Sequence, residues 1–295
     1  MHKFILFTFI FSILWACNPT SERTKEDEKT VVTEAEKEIV PKVPESVKFC
    51  GERLALNDYE SIERLHREFI INVYYHSSTL QILLKTKRYF PLIERILKEN
   101  NVPDDMKYLC VAESALSNAT SPAGAKGFWQ FMPTTAKEYG LRIDNEVDER
   151  YNIEKSTKAA CEYLKQAYRN FGDWSLAAAS YNMGMGGVSN AIDEQEVSSY
   201  SDLYLNSETS RYVMRIVALK YIIESPESYG FELTEKDYYQ PVKTKSVRIE
   251  ENIPNLIEWA KAQGTNYKML KILNPWLVGK HLTVNQKVYQ LKLPA

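Results

Sequence analysis

The chain has 295 residues, of which 44% are hydrophobic and 26% charged, a composition that suits one or two globular domains with an extensive core. Its formal net charge of -2 gives no electrostatic basis for binding nucleic acid. The four histidines are scattered and no CxxC or Cys/His spacing occurs, so we expect neither a metal site nor a cofactor.

The N-terminus reads as an export signal. A basic start is followed by an apolar run from Phe4 to Trp15, shorter than the roughly 20 residues of a transmembrane helix, so residues 1–17 predict a signal peptide. The segment Leu14-Trp15-Ala16-Cys17 resembles a bacterial lipobox, which would make Cys17 a lipidated N-terminus. Because Asn18 rather than aspartate follows, the resemblance implies a periplasmic protein with its lipid anchor in the outer membrane. A signal peptide cleaved elsewhere is the alternative.

Three further regions follow the predicted signal. Residues 18–48 lack aromatic side chains and are rich in Glu, Lys, Thr and Pro, which predicts a disordered linker. Residues 49–230 carry apolar side chains at helical spacing and predict a helical domain. The predicted helices span residues 58–74, 89–100, 104–113, 134–139, 153–171, 174–182 and 208–224, with Gly184, Gly186 and Gly187 forming a tight turn after the sixth.

From about Val242 the pattern changes to that of a small separate module. Residues 246–249 and 288–291 alternate like strands, and residues 256–260 and 269–273 read as two short helices between them. The order of strand, helix, helix and strand predicts a compact unit over residues 242–295.

One carboxylate lies on the apolar face of a short predicted helix. Met106, Leu109, Cys110 and Glu113 recur at helical spacing, so Glu113 is expected to face the core. Loss of hydration there would raise the pKa of the carboxyl group and keep it protonated near neutral pH, as a general acid requires. The alternative is a glutamate at a fraying helix end that reaches solvent.

Four sequence blocks resemble, in content and order, those of family 1 lytic transglycosylases over about residues 90–225. They are Glu113-Ser114, residues 121–133, residues 179–184 and residues 208–213. The C-terminal unit resembles a LysM module through residues 267–275. The resemblance implies a mainly α, lysozyme-like catalytic domain of the SLT type, followed by a small α+β module of βααβ order.

The resemblance also implies the chemistry. The family cleaves peptidoglycan between N-acetylmuramic acid and N-acetylglucosamine and leaves a 1,6-anhydro ring. The sugar's own C6 hydroxyl attacks C1, so one carboxylate suffices where ordinary glycosidases use two. Glu113 would act as acid and then as base, with assistance from the muramoyl acetamide. Substrate-binding roles are implied for Ser121, Gln130, Met132, Tyr181, Asn182 and Tyr212.

The expected partners are peptidoglycan strands and, through the lipid anchor, a membrane, with other cell-wall enzymes as further candidates. The C-terminal module departs from the LysM pattern, with residues 251–254 in place of a Gly-Asp-Thr turn and Asn285-Gln286 in place of Gly-Gln. We therefore expect the module to have kept the LysM fold rather than the affinity of LysM modules for glycan. Since the catalytic blocks end by Tyr212, the module is expected to be dispensable for the chemistry.

Two other functions are open at this point. A goose-lysozyme-like muramidase on the same fold would need a base to activate water, and Asp144, Asp148 and Glu149 are the carboxylates nearby in sequence. A non-catalytic lipoprotein that binds the cell wall through both modules is the other alternative.

Overall fold

The computed structural model describes residues 40–295, so the predicted signal peptide, Cys17 and residues 18–39 of the predicted linker lie outside the described residues. Within the described chain, no helix combines the length and the apolar character needed to cross a bilayer. The helices are α1 (Tyr59–Tyr74), α2 (His76–Glu99), α3 (Met106–Ser114), α4 (Pro133–Glu138), α5 (Ile153–Phe171), α6 (Trp174–Met183), α7 (Met185–Gln195), α8 (Ser207–Glu224), α9 (Leu256–Ala262) and α10 (Tyr267–Leu273). The strands are β1 (Lys48–Phe49), β2 (Glu52–Arg53), β3 (Thr244–Ile249) and β4 (Tyr289–Pro294).

Local capping signals fix several helix ends where the sequence predicts them. Asp58 caps α1 by accepting a hydrogen bond from the N–H of Ser61 at 2.9 Å. Asn152 caps α5, which ends at Gly172 with a left-handed φ of 67°. These caps pair backbone groups that a helix end leaves unsatisfied, so α5 has its predicted bounds.

Most predicted helix ends lie within two residues of the observed ones, but the start of α2 is wrong and α7 was missed. Helix α2 begins at His76 rather than Tyr89 and continues through Pro91, which is exposed to solvent. The predicted turn after α6 is limited to Gly184 at φ 83°, and α7 starts at the next residue. Gly186 and Gly187 are helical because Val188 and Ala191 of α7 are buried in the core.

The packed domain begins before the predicted end of the linker at Lys48. Val47 is fully buried, and its carbonyl accepts a hydrogen bond from the N–H of Leu54 at 3.0 Å across the β1–β2 hairpin. The N–H of Lys48 donates to the Tyr221 hydroxyl of α8 at 3.0 Å. The last residues of the predicted linker are therefore part of the fold.

Helix α8 is the centre of the helical domain and packs against α1, α3 and α6. Ten of its 18 residues are buried, as expected for a helix that is largely surrounded by others. The buried side chains of α8 include Tyr212, Val213, Ile216, Val217, Leu219 and Ile222. This placement brings α8 against α3, the helix that carries Glu113.

The C-terminal module is a βααβ unit in which the outer strands β3 and β4 pair antiparallel, with Val247 opposite Leu291. Its own apolar core includes Leu256, Leu270 and Trp276, and the ring of Trp276 stacks on Tyr289 at a centroid distance of 5.5 Å. Val147 of the helical domain is buried in the same core.

Candidate active site

Glu113 lies in the last turn of α3. Met106, Leu109 and Cys110 on the same face are fully buried, while Glu113 itself is partly buried. The helix ends directly after it, with Ala115 in the left-handed region at φ 50°. The hydroxyl of Ser114 donates to the carbonyl of Cys110 at 3.2 Å, so Ser114 holds this turn and does not face the carboxyl group.

The carboxyl group of Glu113 is bound by Tyr212, whose hydroxyl donates to Oε1. Burial raises the pKa of Glu113 to about 7, against the lowering effects of this hydrogen bond and of the Arg215 charge. Burial also raises the pKa of Tyr212 well above its usual range, so the phenol keeps its proton and remains a donor. The arrangement gives a carboxyl group that is substantially protonated at neutral pH and held in one orientation.

Tyr181 lies beside this pair and joins it to the neighbouring loop. Its hydroxyl donates to the carbonyl of Trp129 at 2.8 Å, and its ring contacts Phe131 and Tyr163 at centroid distances of 6.0 and 5.1 Å. Burial, together with the charge of Glu113, raises the pKa of Tyr181 well above its usual range. Tyr181 is therefore an uncharged side chain that is held in one position and lines the site.

Asn182 is exposed, and its amide is oriented by a residue of α8. The hydroxyl of Thr209, which is 1% exposed, donates to Oδ1 of Asn182 at 2.8 Å. Asn206 supports Thr209, since its Nδ2 lies 3.0 Å from the Thr209 hydroxyl. With its carbonyl oxygen engaged, Asn182 presents its NH₂ group as the donor for an incoming ligand.

The loop of residues 119–132 carries the other predicted site residues. Nε2 of Gln130 donates to the carbonyls of Ala119 and Gly127 at 3.1 and 2.8 Å, which leaves its Oε1 as the free acceptor. The hydroxyl of Ser121 accepts from the N–H of Ala125 at 3.0 Å. Both residues thus shape the loop, a role that their sequence did not indicate.

Met132 is 43% exposed at the start of α4. Its exposed thioether forms apolar surface at the end of the 119–132 loop. The structure therefore unites Glu113, Tyr181 and Tyr212 closely and links Asn182 to α8, while Ser121, Gln130 and Met132 belong to the loop alongside.

The three carboxylates considered as bases for water are already engaged. Asp148 accepts two hydrogen bonds from Arg150 at 2.9 and 2.8 Å. Burial opposes ionisation of Asp148, but the bonds and charge of Arg150 hold its pKa below the usual range. Glu149 pairs with Lys155 and accepts from the N–H of Arg142 at 2.8 Å. Asp144 accepts from the N–H groups of Glu146 and Val147 at 2.8 and 2.9 Å.

Two residues of the site were missed from the sequence. Thr209 orients Asn182, and Arg215 acts on the charge of Glu113. Both lie three residues from Tyr212 on α8, so helical spacing alone would have placed them on its face. Among residues 40–295, no three His, Cys, Asp or Glu side chains converge as a metal site would require.

Comparison with known proteins identifies two domains. The family described as "Transglycosylase SLT domain" matches residues 90–203, and the family described as "Soluble lytic transglycosylase C-terminal LysM-like domain" matches residues 245–295. Both sequence resemblances and the predicted fold class are thereby confirmed. Tyr212 lies beyond the end of the matched SLT range.

Two relatives illustrate the similarity. The chain is 30% identical to membrane-bound lytic murein transglycosylase D of Escherichia coli (strain K12) over 253 residues, which are 82% of this chain and 54% of the relative. It is 34% identical to peptidoglycan transglycosylase gp16 of Escherichia phage T7 over 131 residues, which are 43% of this chain and 10% of the relative. The chain thus spans about half the length of the first of these relatives.

Proposed function

We propose that this chain, which carries an SLT domain followed by a LysM-like domain, is a peptidoglycan lytic transglycosylase. It would cleave the β-1,4 bond between N-acetylmuramic acid and N-acetylglucosamine and leave 1,6-anhydromuramic acid. The observation that carries the proposal is the single carboxyl group of Glu113, with its pKa raised to about 7 and its orientation set by Tyr212. Both relatives described above bear the name of a transglycosylase acting on murein or peptidoglycan.

The reaction needs one group that gives and then takes a proton. Glu113 donates its proton to the glycosidic oxygen as the bond from C1 to that oxygen breaks, and the N-acetylglucosamine leaves as an alcohol. The C6 hydroxyl oxygen then bonds to C1, assisted by the muramoyl acetamide, and its proton passes to the Glu113 carboxylate. A pKa near the working pH suits a residue that serves both steps.

The remaining site residues bind and orient the glycan in this proposal. The free Oε1 of Gln130 accepts, and the NH₂ group of Asn182 donates, hydrogen bonds to sugar hydroxyl and acetamide groups. Met132 and the ring of Tyr181 supply apolar surface against the pyranose rings. Ser121 acts chiefly through the shape of the loop, because its hydroxyl already accepts from Ala125.

Muropeptides released from purified sacculi test the proposal by mass spectrometry. An anhydro product, lighter than the hydrolysed product by one water, is expected. A reducing sugar would instead support the muramidase alternative, against which stand the engaged carboxylates Asp144, Asp148 and Glu149. No loss of turbidity from sacculi would support the non-catalytic alternative, for which an acid of raised pKa has no evident use.

Replacing Tyr212 with Phe should shift the pH dependence of cleavage. The wild type should lose activity above about pH 7, where Glu113 loses its proton. The Tyr212 hydrogen bond lowers that pKa, so its removal raises the pKa and moves the alkaline limb to higher pH. The rate at the optimum should fall by about 10- to 100-fold, because a hydrogen bond to a charged group contributes roughly 1.5–3 kcal/mol.

Tyr200→Phe is the matched control for this variant. Tyr200 is equally buried, but its hydroxyl donates to the carbonyl of Ser210 at 2.8 Å rather than to a titrating group. If the alkaline limb shifts equally in both variants, or shifts in neither, the proposed effect of the Tyr212 hydroxyl on Glu113 is contradicted.

The cellular location is part of the proposal. The lipobox-like segment before Cys17 supports export to the periplasm and a lipid anchor in the outer membrane, where a cell-wall enzyme meets its substrate. Cys17→Ser should block lipid modification and move the protein from the membrane fraction to the soluble periplasm. Because one acyl chain anchors only weakly, the wild type should carry several chains. Identical fractionation of the two proteins would contradict the lipobox assignment.

A further inference from the structure

The C-terminal module is docked on the catalytic domain at residues 142–150, which we call the docking segment. Val147 of this segment is fully buried in the apolar core of the module and forms a β-bridge with Leu277. The two backbones approach so closely that a Cβ added at Gly279 would lie 2.9 Å from the Cα of Glu146. The docking segment is therefore a structural part of the module as well as of the catalytic domain.

Glu146 makes the main polar contacts of this interface. Its carboxylate accepts from the N–H and the hydroxyl of Thr283 at 2.6 and 3.0 Å, and lies 3.1 Å from Nε2 of His281. Its carbonyl accepts from the N–H groups of Val278 and Gly279 at 2.9 and 3.0 Å. These bonds fix the position of the docking segment relative to the module.

The other end of the docking segment holds the 119–132 loop. Nη1 of Arg150 donates to the carbonyls of Gly124 and Phe131 at 3.0 and 3.1 Å. The guanidinium is held in turn by the carboxylate of Asp148, and both residues are 3% exposed. The N–H of Asp148 donates to the carbonyl of Trp276 in the module at 2.9 Å. Hydrogen bonds therefore run without interruption from the module to the loop.

We propose that docking of the C-terminal module positions the 119–132 loop for substrate, with Asp148 and Arg150 as the positioning residues that connect them. The inference rests on the proposed function, because this loop carries Gln130 and Met132. A buried ion pair costs desolvation free energy, and here Asp148 contacts both sides of the connection. Its N–H donates to Trp276 of the module, and its carboxylate lies 3.5 Å from Nζ of Lys126 in the loop. The contacts run counter to the expectation that the module is dispensable.

The test compares Glu146→Gln and Gly279→Ala with the wild type in the full chain, because neither residue belongs to the proposed site. Glu99→Gln is the control, a like change at the exposed end of α2 where Glu99 pairs with Arg95. Hydrogen–deuterium exchange of residues 119–132 should become about 3- to 10-fold faster in both docking variants, because a weakened hydrogen bond shifts a local opening equilibrium by a factor of this size. The control should exchange at the wild-type rate.

Kinetics supply the second measurement. The KM for soluble glycan strands should rise by a similar factor in the docking variants, whereas the alkaline pH limb set by Glu113 should stay in place. Unchanged protection of residues 119–132, with faster exchange only in residues 245–295, would overturn the inference. A raised KM without faster exchange of the loop would also overturn it, since the module would then bind glycan itself.

Exchange requires no turnover, so it separates this inference from the proposed function. If the wild type releases no anhydro-muropeptides, the proposed function fails while the exchange experiment still decides whether the module and the loop are coupled.

Discussion

Glu113→Gln should abolish cleavage of sacculi while leaving the fold intact. Gln keeps the size of the side chain and an oxygen that can accept from the Tyr212 hydroxyl, but it has no proton to deliver and cannot act as a base. General acid–base catalysis contributes roughly 10²- to 10⁴-fold, and here one group serves both steps, so the loss should reach the upper end of that range. Release of anhydro-muropeptides measured by mass spectrometry gives the rate. A variant that cleaves at a near wild-type rate would contradict the assignment of Glu113.

Thermal unfolding of the same variant checks the fold and the pKa together. A carboxyl group whose pKa is raised from 4.5 to about 7 on folding binds more protons in the native state, so wild-type stability falls as pH rises through that interval. Gln does not titrate, so the variant lacks this loss of stability. Between pH 4 and pH 8, the free energy of unfolding of the variant should therefore rise by roughly 2–3 kcal/mol relative to that of the wild type. A constant difference across this range would show that Glu113 has an ordinary pKa.

Gly127→Ala should strongly destabilise the catalytic domain. Gly127 has a left-handed φ of 81°, and a Cβ there would lie 1.9 Å from the carbonyl oxygen of Arg150. Backbone atoms cannot yield as a flexible side chain does, so the 119–132 loop must separate from the docking segment. The free energy of unfolding should fall by about 3 kcal/mol or more, which corresponds to a fall in Tm of about 10 °C for a domain of this size.

Gly186→Ala is the matched control for this substitution. Gly186 lies in α7, and a Cβ there would meet no atom within 4 Å. Alanine in a helix is more stable than glycine by roughly 0.5–1 kcal/mol, so the Tm should rise slightly. Equal Tm changes in the two variants would show that the contact between Gly127 and Arg150 is not as close as described.

The sequence by itself determined the helical domain and the βααβ module, and its resemblance to a known family supplied most of the residues of the proposed site. The two folded units were predicted from local signals, chiefly apolar periodicity, and the structure shows that such signals also set helix ends, as the caps Asp58 and Asn152 and the stop at Gly172 do. Such signals act within a few residues, so they can be recognised in the sequence without knowledge of the fold. They failed where long-range packing overrides local preference, as at Pro91 inside α2 and at the glycines of α7.

Only the tertiary structure decided which side chains surround Glu113. Helical spacing in α3 predicts that burial raises the pKa of Glu113, but the opposing effects of Tyr212 and Arg215 come from α8, which is distant in sequence. The same holds for Thr209, whose hydroxyl orients Asn182 across two helices, and for Gln130, whose amide is engaged within its own loop. The docking of the C-terminal module could not be predicted from the sequence either. Val147 and Gly279 take part in it only because two backbone segments that are distant in sequence come into contact.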